Sequence, residues 1–114
     1  MPTFERGDVV KVPFPYTDRR TQRYRPALVV SGSEATEAHG LVWVLMITSA
    51  QNRGWSGDVA IRNLDAAGLP APSVIRTAKI ATIESRDATK LGKISRATLD
   101  QVLKRVAAEL RIAS

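Results

Sequence analysis

Arginine side chains stand at the start of a strand-like apolar run in the segment RYRPALVVSG, residues 23–32. Arg23 and Arg25 lie just before Pro26, and the apolar run begins at the next residue. Because a guanidinium is costly to desolvate beside a buried strand, Arg25 needs an anionic partner. That partner is either a phosphate from outside the chain or an acid of the same fold. The candidate acids are Asp8, Asp58 and Glu84.

The residue types on which most catalytic sites depend are scarce in this sequence. It has no cysteine, and its one histidine, His39, lies in the turn-like segment EAHG. No glycine-rich phosphate loop and no closely paired acidic motif is present. We therefore expect no metal and no cofactor, and we expect any catalysis to depend on charge stabilisation by arginine and hydroxyl groups.

Cleavage of an RNA phosphodiester is a reaction of that kind. The substrate supplies its own nucleophile, the 2′-hydroxyl, which DNA lacks. A planar guanidinium binds phosphate through two hydrogen bonds, which makes Arg25 the first candidate for a catalytic residue. Thr48 is the second, because it ends the most apolar stretch and precedes a polar Ser-Ala-Gln-Asn segment. Thr48 also fits a β-branched strand residue with no role in chemistry.

Positive charge and aromatic rings occur together where an RNA could bind. The chain has 17 Lys+Arg against 11 Asp+Glu, a net charge of +6 and a pI near 10.3. Segment 15–24, PYTDRRTQRY, interleaves tyrosines with arginines, a combination that stacks bases and follows phosphates. Trp55 lies close to Arg53 in a loop and could stack a base as well. Trp43, inside the apolar stretch, is expected in the core or in a subunit interface.

Hydrophobic periodicity predicts short strands followed by one helix. The expected strands are 7–14, a second that begins at or just after Pro26, 41–48, 57–62, and 73–77 with 79–83 as two short strands or one bent strand. Segments 15–24, 49–56 and 63–72 are expected as loops or turns, and 33–40 as a polar connection or one helical turn. Ser95 fits the N-cap of a C-terminal helix, with Ile94 and Leu99 as its hydrophobic staple.

The pattern as a whole predicts one domain, 1–114, built as a small barrel or sandwich with a C-terminal helix. Because 41–47 is apolar at every position, both faces of that strand need a cover, which another subunit could supply. The longest apolar run is far shorter than the roughly 18 residues that span a bilayer. The N-terminus also lacks a signal-peptide core, so we expect a cytoplasmic protein with no membrane contact.

The motif GDVVKVPFPYTD, followed by RYRPALVVS, a strand ending in Thr48, SVIRTAKIATI and a final helix, resembles the MazF/PemK toxins of bacterial toxin–antitoxin systems. The resemblance extends over nearly the whole chain. It implies a mainly β (α+β) fold, a small SH3-like β-barrel with a C-terminal α-helix, and a homodimer. It also implies a metal-independent endoribonuclease that cuts single-stranded RNA, often mRNA, at short sequences. The products would carry a 2′,3′-cyclic phosphate and a 5′-hydroxyl, and an acidic antitoxin would block the site.

The resemblance assigns catalytic roles to Arg25, which stands in the RP motif, and to Thr48. Some members use the arginine at Arg76 and carry an acid two residues later, where this chain has Ala78. We expect Arg25 to stabilise charge first and to donate a proton second, since arginine stays protonated. The expected RNA-binding set is Tyr16, Arg19, Arg20, Arg23, Gln51, Arg53, Trp55, Ser73 and Arg76.

Two other functions fit the same scaffold. The first is a non-enzymatic toxin that poisons DNA gyrase, which such toxins do through the end of the final helix, typically with a C-terminal Trp. This chain ends in RIAS, which disfavours that function. The second is an inactive RNA-binding SH3-like module, which Ala78 keeps open.

Overall fold

Six antiparallel strands form one sheet in the computed structural model, which describes residues 3–14, 23–52 and 54–111. The strands are β1 (Asp8–Phe14), β2 (Arg23–Val29), β3 (Leu41–Ser49), β4 (Val59–Ala60), β5 (Ser73–Glu84) and β6 (Thr89–Lys93). The helices are α1 (Ser33–His39), α2 (Leu64–Ala67) and α3 (Arg96–Leu110), and short 3-10 turns occupy Ala50–Asn52 and Ser85–Asp87. The strand order is β4-β5-β3-β2-β1-β6. The predicted mainly β fold with a C-terminal helix is confirmed.

The curled sheet buries one hydrophobic cluster on each face. The first cluster packs under α3 and includes Val9, Leu28, Leu45, Ile47, Ile75 and Val102. The second, on the other face, includes Val10, Val12, Ala27, Val29, Val44 and Met46. Alternation along the strands explains the division, because neighbouring residues such as Leu45 and Met46 point to opposite faces.

The second half of the apolar run of β3 is covered by the chain itself. All residues from Val44 to Ile47 are buried, some in each cluster. This stretch therefore needs no second subunit as a cover. Trp43 is 53% exposed, so the core alternative of its prediction is wrong, and a place in a subunit interface stays a prediction.

Strand β2 begins at Arg23, three residues before Pro26, whereas the sequence predicted a start at or just after that proline. Val30 N donates to Trp43 O on β3. Backbone nitrogens an even number of residues apart along a strand point to the same side, so the nitrogen of residue 26 also points toward β3. The ladder to β3 begins only at Ala27, opposite Met46. A proline at position 26 therefore removes no ladder hydrogen bond, and β2 continues through it as a partner of β1.

Between 49 and 93, the structure corrects several predicted boundaries. Segment 73–83 is one strand, β5, with an irregularity that places Leu45 opposite Ile80 but Met46 opposite Arg76. The predicted strand 57–62 shortens to β4, and the predicted loop 63–72 contains α2. The polar edge strand β6 pairs with β1 and was not predicted, because its sequence TKLGK lacks apolar alternation.

Helix α3 starts and packs as its sequence predicts. Ser95 is the N-cap, and its Oγ accepts a hydrogen bond of 3.2 Å from Thr98 N. Val102 is fully buried in the first cluster, and Leu99, Leu103 and Val106 pack against that cluster. The helix therefore covers one face of the sheet and leaves the opposite face to other residues.

Candidate functional site

Arg25, Thr48 and Arg76 lie on the same face of the sheet, the face of the second cluster. Ala27 is paired with Met46, and Met46 is paired with Arg76. Arg25 lies two residues before Ala27, and Thr48 lies two residues after Met46. Side chains two residues apart along a strand share a face, so three neighbouring strands direct these groups to one end of the sheet.

Thr48 is held by a side chain from the turn that follows β3. The threonine is buried, and its Oγ1 accepts a hydrogen bond of 3.1 Å from Nδ2 of Asn52. Asn52 ends the 3-10 turn Ala50–Asn52, which follows the strand directly. The turn is anchored to the start of β5, because Ala50 N donates to Pro72 O at 3.0 Å.

Arg76 is buried in a charge pair with Asp58. Its Nε donates to Oδ1 at 3.2 Å and its Nη2 to Oδ2 at 2.9 Å, and both side chains are 8% exposed. Nη2 also donates to the carbonyl oxygen of Asn52 at 2.6 Å. Three of the five N–H groups of the guanidinium are therefore used within the described residues.

The ring of Trp55 lies against the same guanidinium. The Arg76 Cζ atom is 4.2 Å from the ring centroid, and the Lys79 Nζ atom is 5.7 Å from it. The indole is still 48% exposed, so part of it remains open to an aromatic base. Trp55 therefore lies next to the face that carries Arg25 and Thr48.

The loop that carries Trp55 and Asp58 is fastened to β5. Thr77 Oγ1 donates to Gly57 O at 3.0 Å, and Asp58 N donates to Trp55 O at 3.1 Å. Gly57 has φ +92, and a Cβ at this position would lie 2.6 Å from Thr77 Oγ1. The backbone here approaches β5 closely enough to require glycine.

The sequence offered three acids as internal partners for Arg25, and each has another cation beside it. The pairs are Asp58 with Arg76, Asp8 with Lys90 at 3.4 Å, and Glu84 with Arg86 at 3.1 Å. Position 78 is an alanine, and a carboxylate that Arg76 contacts is that of Asp58. Asn52 was missed as a site residue; its only sequence signal is a polar group four residues after Thr48.

The other predicted RNA-binding residues are divided between the site and other places. Gln51 is exposed on the 3-10 turn beside Thr48. Ser73 lies at the same end of the sheet, but alternation puts it on the face opposite Arg76, and its Oγ donates to Ala71 O at 2.9 Å. Arg23 opens β2 and its side chain is not among those described. The remaining predicted contacts, Tyr16, Arg19, Arg20 and Arg53, lie outside the described residues.

Within the described ranges, no three acidic or histidine side chains gather as a potential metal site. No helix in the same ranges is long and apolar enough to cross a bilayer.

The fold is similar to that of solved toxin structures. MazF from Deinococcus radiodurans is 21% identical, with a TM-score of 0.80 over 98% of this chain and 100% of that chain. A MazE–MazF structure from the same organism is 19% identical, with a TM-score of 0.78 over 99% of this chain and 100% of that one. An endoribonuclease in complex with its cognate antitoxin from mycobacterial species is 20% identical, with a TM-score of 0.76 over 100% of this chain and 99% of that chain.

The sequence itself shows the family. Residues 5–110 match the sequence model of the family of PemK-like, MazF-like toxins of type II toxin–antitoxin systems. The chain belongs to this family. No curated protein sequence is similar enough to this chain to count as a match.

Proposed function

We propose that this protein is a sequence-selective endoribonuclease that cleaves single-stranded RNA in the cytoplasm as the toxin of a type II system. The observation that carries the proposal is the placement of Arg25 and Thr48 on one face at the ends of neighbouring strands. A guanidinium and a hydroxyl on one rigid surface can both donate to the oxygens of a single phosphate. Family membership supports the same substrate class.

The proposed reaction uses the nucleophile that RNA carries. The 2′-hydroxyl gives up its proton as its oxygen bonds to phosphorus, and the bond from phosphorus to the 5′-oxygen breaks. The 5′-oxygen takes up one proton, so the products are a 2′,3′-cyclic phosphate and a 5′-hydroxyl with no net change in protons. Arg25 stabilises the charge that develops on the phosphoryl oxygens, because a guanidinium remains protonated throughout. Thr48 donates its hydroxyl to the same phosphate and holds it in line with the attacking oxygen.

In this mechanism, Arg76 acts through the loop rather than on the phosphate. Its guanidinium is bound to Asp58 and to the carbonyl of Asn52, which fixes the segment that carries Trp55. Trp55 and Gln51 are then placed to contact the bases that flank the cut. Arg19, Arg20 and Arg23 follow the phosphates, and Tyr16 and Arg53 complete the proposed RNA surface.

The test is cleavage of a long transcript by the purified protein in EDTA, with the new ends mapped by sequencing and by direct 5′-labelling. We expect cuts without a divalent metal, 5′-hydroxyl ends that label without phosphatase treatment, and a short shared sequence at the cut sites. Arg25→Ala should lower the cleavage rate by about a hundredfold or more, the effect of losing one main oxyanion donor. The matched control is Arg96→Ala, which removes an exposed arginine of α3.

Other outcomes would assign a different function. A strict requirement for a divalent metal, or full activity in Arg25→Ala, would contradict the mechanism. Salt-sensitive RNA retention without new ends would indicate an RNA-binding module. Capture of gyrase without RNA cleavage would indicate a gyrase poison.

We also propose a homodimer as the active unit and an acidic antitoxin segment as its inhibitor. The net charge of +6 favours an acidic partner, and structures of two similar proteins include an antitoxin. Sedimentation at micromolar concentration tests the dimer, and a monomeric mass would contradict it.

A further inference from the structure

A chain of hydrogen bonds connects Thr48 to the buried charge pair through a single residue, Asn52. Its amide Nδ2 donates to Thr48 Oγ1 at 3.1 Å, and its backbone carbonyl accepts from Arg76 Nη2 at 2.6 Å. The side chain of Asn52 thus contacts Thr48, and its main chain contacts Arg76. We propose that Asn52 is a positioning residue that commits the Thr48 hydroxyl to donating toward the substrate phosphate.

The reason is the small number of bonds that one hydroxyl can make. A threonine hydroxyl has one proton to donate and two lone pairs that accept. Asn52 Nδ2 donates into one lone pair, so the proton of Thr48 is not used in this contact. Phosphoryl oxygens only accept hydrogen bonds, so the hydroxyl has to donate to them. A group at position 52 that accepts from Thr48 instead would consume the proton that the phosphate needs.

The surroundings of Asn52 keep the amide in place. Arg76 holds the carbonyl of Asn52, and Asp58 holds Arg76 through two hydrogen bonds. The residue itself is exposed, so changes to its side chain do not open a cavity in the core. Asn52 is therefore a position where the hydrogen bond to Thr48 can be altered while the fold is kept.

The inference rests on the proposed function, and it is tested with two substitutions at one position. Asn52→Ala removes the donor and leaves the Thr48 hydroxyl free to donate elsewhere. Asn52→Asp is similar in shape but offers only acceptors, so it draws the Thr48 proton to itself. We expect kcat for RNA cleavage to be at least about tenfold lower in Asn52→Asp than in Asn52→Ala, the effect of losing a hydrogen bond to a charged group.

A negative charge near the phosphate would also slow the reaction, and a double-variant cycle separates the two effects. Both substitutions are repeated together with Thr48→Val, which has no hydroxyl to orient. In the Thr48→Val background the negative charge introduced by Asn52→Asp still slows the reaction, but there is no hydroxyl proton for it to draw away. The ratio of kcat between Asn52→Ala and Asn52→Asp should therefore be smaller by about tenfold or more than it is with Thr48 present. All variants should unfold at nearly the wild-type temperature.

The outcomes keep the two proposals distinct. If the wild type cleaves RNA and the ratio is the same with Thr48 and with Thr48→Val, the role of Asn52 is overturned and the endoribonuclease stands. Equal activity of Asn52→Asp and Asn52→Ala overturns it as well. If the wild type does not cleave RNA at all, the proposed function fails and this inference fails with it.

Discussion

The buried pair of Arg76 and Asp58 predicts a large loss of stability when its acid is neutralised. Asp58→Asn keeps the size of the side chain but leaves the guanidinium, 8% exposed, without a countercharge. Removing one partner of a buried pair costs about 3–5 kcal/mol. The guanidinium also contacts the half-exposed ring of Trp55, where water can approach, so we take the lower end, about 3 kcal/mol.

The measurement is urea denaturation together with thermal unfolding of the purified protein. For a chain of this length, a loss of about 3 kcal/mol lowers the melting temperature by roughly 10 °C. The matched control is Glu84→Gln, which neutralises the acid of the exposed pair with Arg86, where the side chains are 54% and 73% exposed. This control should change stability by less than about 0.5 kcal/mol.

Two results would refute the reasoning. One is a loss below about 1 kcal/mol in Asp58→Asn, because the pair would then be solvated rather than buried. The other concerns the double variant Asp58→Leu with Arg76→Met. Replacing both charges with apolar groups removes the uncompensated charge, so the double variant should be more stable than Asp58→Leu alone. If it is less stable, the loss does not come from an unpaired buried guanidinium.

Three further predictions concern a turn, a helix cap and the proposed RNA surface. Gly68→Ala should lower the free energy of unfolding by about 2 kcal/mol or more in urea, because its φ is +74 and a Cβ would meet the backbone carbonyl of Leu91. Ser95→Ala should cost about 1 kcal/mol in the same assay through loss of the N-cap of α3. Trp55→Ala should weaken retention of a non-cleavable RNA by about tenfold. Trp43→Ala should leave retention unchanged, because Trp43 lies on the face of β3 opposite to Thr48.

The elements that the sequence predicted well are those with a strong periodic signal. The alternating residues of β1, the apolar run of β3 and the 3.6-residue period of α3 each predict an element that the structure contains. The strand that was not predicted, β6, has mostly exposed residues and a single partner strand. Its position depends on pairing with β1, and no local pattern encodes that pairing.

The same limit applies to the site. The types and positions of Arg25 and Thr48 follow from the sequence, but their shared face follows from the register between β2 and β3. The contact between Arg76 and Asp58 joins residues 18 positions apart across a loop. The sequence around either residue does not predict the other as its partner, because the pairing depends on how that loop folds back onto β5.

The irregularity in β5 explains why Arg76 belongs to the site at all. In a regular strand, residues 76 and 80 would share a face, because an even separation preserves it. Here Ile80 is opposite Leu45, on the face of the first cluster, whereas Arg76 is opposite Met46, on the face of the second. The extra residues 77–79 therefore turn Arg76 toward Thr48. Within them, Thr77 Oγ1 donates to Gly57 O and fastens the loop that carries Asp58 to the strand, so the irregularity lies beside the buried charge pair as well.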